Sequence, residues 1–202
     1  MKISPKDITR AVEVIQKGGV VVLPTDTLYG LCCSPFIESS LLRIEKIKFR
    51  KEEGRKPFPL IAGSMNVVER YFEVSPPGYL LAHFFWPGPL SLLLRTGFTS
   101  PLVAQKGKSA VRIPDNKISL LILKILKIPL VATSANRSGY PPPSRIDEIE
   151  KEIMEGVDMI IDGGELPSDR LPSTIYDPDE KVVIREGAVP VEKIEKILKG
   201  VF

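Results

Sequence analysis

Helical stripes of apolar residues alternate with short apolar runs along the chain. Ile8, Ala11, Val12 and Ile15 recur at the spacing of one helix face, and Val20 to Leu23 follows as a continuous apolar run typical of a buried strand. The same alternation predicts further helices after Ser39 or Ser40, after Ser64, from Ser75 to Trp86, from Asn116 to about Lys127, over 146–154 and after Pro190. Further strands are predicted at 57–62, 90–94, 110–113, 129–133 and 157–161, with a hairpin formed by 174–176 and 182–184.

These elements predict an α/β fold. Some neighbouring strands are separated by helices and one pair by a short turn, so the sheet should mix parallel and antiparallel pairs. The pattern contains no repeat and no linker-like interruption. We therefore expect one domain covering residues 1–202.

Composition narrows the function classes. The 202 residues are 43% hydrophobic, enough for a sizeable core, and the formal net charge is only +3, too small to argue nucleic-acid binding. Cys32 and Cys33 are adjacent, and His83 is the single histidine. A disulfide framework, a structural zinc site and a Ser-His-Asp triad are therefore all disfavoured, and no metal ligands are predicted.

The start of the chain and its most apolar segment indicate where in the cell the protein is expected. The chain opens without a signal peptide pattern, because Ser4, Pro5 and Asp7 instead look like the start of a helix. The segment 120–131 is interrupted by Lys124 and Lys127 and is too short to span a bilayer. We expect a cytoplasmic protein without a membrane partner.

A polar loop follows the predicted strand at 129–133. Thr133, Ser134, Asn136 and Ser138 are small, uncharged side chains placed where a strand ends, which is where ligands of α/β proteins commonly bind. Such groups suit the ribose and phosphates of a nucleotide. An ordinary Ser/Asn/Gly turn has the same composition, so the loop alone leaves both interpretations open.

Two arginines lie in apolar strand contexts. Arg112 sits within Ala110–Ile113, and Arg185 ends Val182–Arg185. A buried guanidinium requires an anion, which is either an internal carboxylate or a ligand's carboxylate or phosphate. A strand with one solvent-exposed face would also explain both residues.

Cationic residues are concentrated between residues 46 and 56. The run contains Lys46, Lys48, Arg50, Lys51, Arg55 and Lys56. Lysines near a helix C-terminus often serve only the helix dipole. If Lys48 and Arg50 instead face inward, they would neutralise phosphates, and the charge density favours a polyanionic substrate.

Further polar residues also follow or precede strands. Thr25, Asp26 and Thr27 come directly after the strand at 20–23, and Ser173 precedes the strand at 174–176. Turn formation would use the same residue types. Because strand ends can converge on one crevice, the coincidence of these positions favours a shared binding site.

Eight motifs follow one another along the chain: Pro24–Leu31, Lys48–Arg50 with Lys56-Pro57, Trp86–Leu90, Val111–Pro114, Thr133–Gly139, Asp162–Gly164, Ser173-Thr174 and Arg185–Gly187. Taken together and in this order, they resemble the YrdC/TsaC family of threonylcarbamoyl-adenylate synthases. The resemblance implies a YrdC-like three-layer fold, with a twisted mixed sheet flanked by helices around a concave, positively charged cavity. It also implies a nucleotidyltransferase that condenses L-threonine, bicarbonate and ATP to threonylcarbamoyl-AMP and pyrophosphate.

The resemblance assigns roles residue by residue. Lys48 and Arg50 match catalytic positions. The positions that match threonine-binding residues are Thr25, Arg112 and Ser173, and those that match ATP-binding residues are Lys48, Arg50, Lys56, Ser134, Asn136 and Arg185. The implied cofactor is Mg²⁺ with ATP, and the implied partners are the proteins that transfer the threonylcarbamoyl group to adenosine 37 of tRNA.

Three alternatives share this fold. A YciO-like paralogue would lack the synthase activity, although the presence of Lys48, Arg50, Ser134 and Asn136 favours the synthase. An RNA-binding module would bind tRNA without consuming ATP. A carbamoyl-transfer domain of the hydrogenase-maturation type would come with acylphosphatase and zinc-finger modules, for which 202 residues leave no room.

Overall fold

The computed structural model describes residues 3–50, 56–166 and 171–200, and within them ten strands form one mixed sheet. The strands are β1 (Val21–Pro24), β2 (Tyr29–Cys33), β3 (Leu60–Ile61), β4 (Phe72–Glu73), β5 (Leu90–Thr96), β6 (Lys108–Arg112), β7 (Leu130–Ser134), β8 (Met159–Ile160), β9 (Thr174–Asp177) and β10 (Val182–Arg185). The helices are α1 (Pro5–Gln16), α2 (Glu38–Ile47), α3 (Met65–Tyr71), α4 (Pro76–Phe85), α5 (Lys117–Leu126), α6 (Lys151–Gly156) and α7 (Val191–Lys199), with a 3-10 turn at Ile146–Glu148.

The strand order explains why distant segments meet. It runs β10-β9-β5-β6-β3-β7-β2-β1-β8, with β4 paired to β5. Three pairs are parallel, β1 with β8, β3 with β6 and β5 with β9, and the remaining pairs are antiparallel. The predicted mixed sheet and the hairpin of β9 and β10 are confirmed. The single-domain expectation for residues 1–202 extends past the described residues and stays a prediction.

The central strands are buried on both faces, which is why they appear as continuous apolar runs. In β1, Val22 packs into one hydrophobic cluster, whereas Val21 and Leu23 pack into the other. The first cluster includes core residues of α2, α3, α4, α6 and α7, and the second includes those of α1 and α5. The sheet therefore lies between two helical layers, which confirms the predicted three-layer arrangement.

Polar caps define several helix starts as predicted. Ser4 and Asp7 form a capping box at α1, and hydrogen bonds from Ser4 lower the pKa of Asp7. Ser64 and Ser75 accept hydrogen bonds at the starts of α3 and α4. Every helix in the described part of the chain falls short of the length and apolar character needed to cross a bilayer.

The structure corrects four local predictions. Ser39 and Ser40 do not cap α2, which begins at Glu38, because the buried Ser40 hydroxyl instead donates to Gly18 O at 2.7 Å. The strand predicted at 57–62 is reduced to β3. The helix predicted at 146–154 is split, because Ile149 is extended and buried in the core. The sequence pattern also missed β2 and β4.

Asn116 offers a test of the capping argument near the site. Its Oδ1 accepts from the amides of Ile118 at 3.0 Å and Ser119 at 3.2 Å, and its Nδ2 donates to Thr25 O at 3.4 Å. Asn116→Ala should lower the free energy of unfolding by about 1 kcal/mol. Asn116→Asp keeps the capping oxygen, so its free energy of unfolding should fall by less than that of the alanine variant. Urea denaturation checks this, and equal stability of the alanine variant and the parent would contradict it.

Candidate functional site

A cavity of about 400 Å³ lies where several strand ends and their following loops meet. Eight of the nine predicted site residues line it: Thr25, Arg50, Lys56, Arg112, Ser134, Asn136, Ser173 and Arg185. The sheet register explains part of this convergence, because Gly30 of β2 pairs with Ser134 of β7, and Ile61 of β3 pairs with Arg112 of β6. Positions up to 160 residues apart in sequence (Thr25 and Arg185) therefore share one crevice.

Arg112 enters the cavity from the end of β6 and is 6% exposed. Its Nη1 donates to the Asp26 carboxylate and to Gly88 O at 3.3 Å, and its Nη2 donates to Thr27 Oγ1 at 3.1 Å. The sequence analysis left open whether the anion beside Arg112 is an internal carboxylate or a ligand. The structure shows an internal carboxylate, that of Asp26. This fixed frame leaves Arg112 on the cavity wall, where it can also meet a ligand anion.

The turn that carries Asp26 is closed by the Thr25 side chain. Thr25 Oγ1 donates to Leu28 O at 2.7 Å and accepts from the amides of Thr27 and Leu28, both at 3.1 Å. A hydroxyl has one proton and two lone pairs, so these three hydrogen bonds saturate Thr25 Oγ1, and Thr27 Oγ1 lies beside it at 3.0 Å. The Thr25 hydroxyl therefore serves the turn, as the alternative interpretation held, and the turn presents Asp26 and Thr27 to Arg112.

Arg185 and Ser173 form a second polar group on the cavity wall. Arg185 donates to Ser173 O through Nε at 3.1 Å and Nη2 at 2.7 Å, and Nη2 also reaches Ser173 Oγ at 3.1 Å. Arg185 is exposed as a whole residue, but its guanidinium lies against Ser173. Loss of hydration there, with the charge of Arg112, lowers the pKa of Arg185.

Arg50 and Lys56 approach the cavity from the segment before β3. The Arg50 guanidinium lies over the Phe58 ring at 4.5 Å from its centroid and donates from Nη2 to Lys56 O at 2.7 Å. Lys51 and Arg55 of the predicted basic run lie outside the described residues. The described lining thus carries four cationic side chains, those of Arg50, Lys56, Arg112 and Arg185, and no carboxylate.

Lys48 lies behind the cavity wall and is 5% exposed. Its Nζ donates to Ser134 O at 2.5 Å, to Asn136 O at 2.7 Å and to Asn136 Oδ1 at 3.2 Å. Burial, and then the charge of Arg50, lower the pKa of Lys48 to about 7. In this arrangement the three ammonium protons hold the polar loop after β7, and the ammonium does not line the cavity.

The side-chain amide of Asn136 fixes the polar loop, because both its oxygen and its nitrogen make hydrogen bonds. Its Oδ1 accepts from Lys48, and its Nδ2 donates to Tyr140 O. The amide of Ser138 donates to Lys48 O at 3.0 Å, which ties the far end of the loop to the same residue. Ser134 and Thr133 stand on the cavity side of this loop.

Sequence reasoning missed two polar residues of the wall, Tyr29 and Ser91. Tyr29 accepts from Gly163 N at 2.9 Å and donates to Gly164 O at 2.7 Å, so its hydroxyl joins β2 to the Asp-Gly-Gly turn. Ser91 interrupts the apolar strand Leu90–Leu94 and is 1% exposed. A hydroxyl inside a buried strand requires a hydrogen-bond partner, and that signal was available in the sequence.

Comparisons with known proteins agree on the family. The model of the Sua5, YciO and YrdC proteins, described as "Telomere recombination", matches residues 13–187. A putative threonylcarbamoyl-AMP synthase of Methanocaldococcus jannaschii is 34% identical over 90% of this chain and 86% of its own length.

Solved structures give the same result. P. abyssi Sua5 complexed with L-threonine has a TM-score of 0.89 and 32% identity, covering 98% of this chain. This chain spans 59% of that Sua5 chain. E. coli YciO has a TM-score of 0.84 and 29% identity, covering 96% of this chain and 95% of its own. The matched family model and these relatives show that this protein belongs to the Sua5/YciO/YrdC family.

Proposed function

We propose that this protein is a threonylcarbamoyl-AMP synthase, which joins L-threonine, bicarbonate and ATP and releases pyrophosphate. The observation that carries the proposal is the cavity lining, which has four cationic side chains and, among the described residues, no carboxylate. Relatives named as threonylcarbamoyl-AMP synthases, one of them at 34% identity over 91% of the chain, support it. The finer assignment of the activity as a nucleotidyltransferase belongs to the same proposal.

The chemistry brings two anions together. The threonine amine attacks the carbon of CO2 and loses a proton, or it attacks bicarbonate and water leaves, and either route gives a carbamate. A carbamate oxygen then attacks the α-phosphorus of ATP, and the bond from that phosphorus to the bridging oxygen breaks, with pyrophosphate as the leaving group. Cationic donors reduce the repulsion and stabilise charge on the phosphoryl oxygens in the transition state. Positioning and charge neutralisation suffice, and no covalent protein intermediate is needed.

We propose that threonine and ATP occupy different parts of the cavity. Arg112 and Ser173, near the Thr25 turn, would bind the threonine carboxylate. Arg50, Lys56 and Arg185 would bind the ATP phosphates, while Ser134 and Asn136 supply the polar loop beside them. Lys48 would act through that loop, since its three protons already bind oxygens of Ser134 and Asn136.

Mg²⁺ is proposed as an ion that arrives on the triphosphate of ATP. Among the described residues there is no group of three or more His, Cys, Asp or Glu side chains that would hold a metal ion. Phosphate oxygens and water are the ligands that Mg²⁺ prefers in nucleotide sites. Its chemistry there would be to neutralise charge on the leaving pyrophosphate.

The product requires an acceptor enzyme. Threonylcarbamoyl-AMP is a reactive mixed anhydride, so proteins that transfer its acyl group to tRNA are the proposed partners, and a cytoplasmic location is part of the same proposal. The YciO structure fits almost as well as Sua5, which keeps a paralogue without synthase activity as the second candidate.

Incubation with ATP, Mg²⁺, bicarbonate and radiolabelled threonine tests the proposal. We expect threonine-dependent pyrophosphate release and a product with the mass of threonylcarbamoyl-AMP. Equal release with serine, or without any amino acid, would contradict the substrate assignment. Tight tRNA binding without ATP consumption would favour the RNA-binding alternative.

A further inference from the structure

Ser91 of β5 and Ser173, the residue before β9, face each other in the structure. β5 and β9 run parallel, and their register places Leu90 opposite Thr174, next to both serines. The two hydroxyl oxygens lie 2.9 Å apart, and both residues line the cavity. Ser91 is 1% exposed and Ser173 is 6% exposed. The pair is therefore a buried hydrogen bond, and Ser173 is the more accessible of its two residues.

The protons of this pair can be counted. Each hydroxyl has one proton and two lone pairs. Ser173 Oγ already accepts from Arg185 Nη2 at 3.1 Å. Within the described residues, Ser173 is the hydrogen-bond partner of Ser91 Oγ. If Ser91 donates to Ser173, both lone pairs of Ser173 are occupied, and the Ser173 proton is left to point into the cavity.

The rest of Ser173 is already fixed. Arg185 binds its carbonyl oxygen through two nitrogens, so rotation of the Ser173 hydroxyl is the main remaining freedom. If Ser173 instead donated to Ser91, the Ser91 hydroxyl would be the donor to the ligand. Ser91, however, is less exposed than Ser173. The geometry therefore favours Ser173 as the group that meets an anion.

We infer that Ser91 is a positioning residue, which orients the Ser173 hydroxyl as a hydrogen-bond donor to the carboxylate of the amino-acid substrate. This inference rests on the proposed function for the identity of that carboxylate. A hydroxyl that accepts from a guanidinium is also a stronger donor, because hydrogen bonds in a chain polarise one another. Ser91 and Arg185 thus together orient and polarise the Ser173 hydroxyl.

Steady-state kinetics of Ser91→Ala, with Ser91→Thr as the matched control, test the inference. The alanine variant should raise KM for L-threonine by about 5- to 30-fold, the effect of losing one hydrogen bond of this kind. KM for ATP, kcat and Tm should each change little. Because threonine keeps the hydroxyl, Ser91→Thr should restore most of the affinity.

A double-mutant cycle separates positioning from a direct contact. If Ser91 acts through Ser173, then adding Ser91→Ala to Ser173→Ala should cause no further rise in KM for threonine. An equal rise in both backgrounds would overturn the inference, as would a parallel rise of KM for ATP with a lower Tm.

Failure of the proposed function would be seen separately, in the parent protein. If the parent shows no threonine-dependent pyrophosphate release, that proposal fails. Calorimetric binding of inorganic phosphate to the parent, Ser91→Ala and Ser173→Ala then tests the hydroxyl orientation. Weaker binding in both variants supports it, while absent binding to the parent or unchanged affinity in Ser91→Ala overturns it.

Discussion

Arg112→Met is expected to lower kcat/KM for L-threonine by about 10²- to 10³-fold, because the threonine carboxylate loses a buried, charged hydrogen-bond partner. It should also lower the free energy of unfolding by about 3–5 kcal/mol, because the buried Asp26 carboxylate loses its guanidinium partner. Both side chains are less than a tenth exposed in the parent protein. Activity is read from pyrophosphate release, and stability from urea denaturation.

Asp26→Asn provides the matched control. Combined with Arg112→Met, it removes the uncompensated charge and should restore part of the stability without restoring activity. That split would show that Arg112 contributes to the reaction as well as to the fold. An Arg112→Met protein with the parental kcat/KM for L-threonine would contradict the assignment of this residue to substrate binding.

Lys48→Met should lower activity by about 100-fold, although Lys48 does not line the cavity. The methionine leaves oxygens of Ser134 and Asn136 without their donor, and the polar loop shifts from its place beside the nucleotide. The free energy of unfolding should fall by about 1–3 kcal/mol. Turnover with a parental KM for ATP would show that the loop keeps its position without Lys48.

The pKa of Lys48 adds a pH dependence with opposite signs for activity and stability. Above pH of about 7 the folded protein carries a neutral amine, which has two protons for three oxygens, so activity should decline. The unfolded chain stays protonated up to its ordinary pKa of 10.5, so it binds more protons in this range. The stability of the parent relative to Lys48→Met should therefore rise between pH 7 and 10. Urea denaturation of both proteins at several pH values checks this, and a constant difference would contradict it.

The elements with strong local signals were predictable. The apolar stripe of α1, the serine caps and the runs of β1 and β7 follow from periodicity and capping chemistry, which act over a few residues. β2 was missed because Gly30 follows a polar turn, and this combination suggests a loop. Ser40 was misassigned because its hydroxyl serves a carbonyl 22 residues away, which no local pattern reveals.

The candidate site shows the same limit. Its lining residues could be proposed because several polar side chains lie at strand ends, which can converge on one binding site. The ordered motifs then indicated which of these residues bind substrate. The direction of each side chain could not be predicted. Lys48 binds the polar loop and does not line the cavity, and Arg112 is paired with Asp26, because both side chains have partners 86 residues away in sequence. Such pairings arise only when the sheet has assembled.

The cavity is lined both by a strand at the edge of the sheet and by strands in its interior. Among the described strands, β10 pairs with β9 alone, and its Val182 and Ile184 are about half exposed, whereas β2 is buried throughout. Local opening costs less at such an edge than in the centre of a sheet. We therefore expect the Arg185 side of the cavity to open more readily than the Ser134 side.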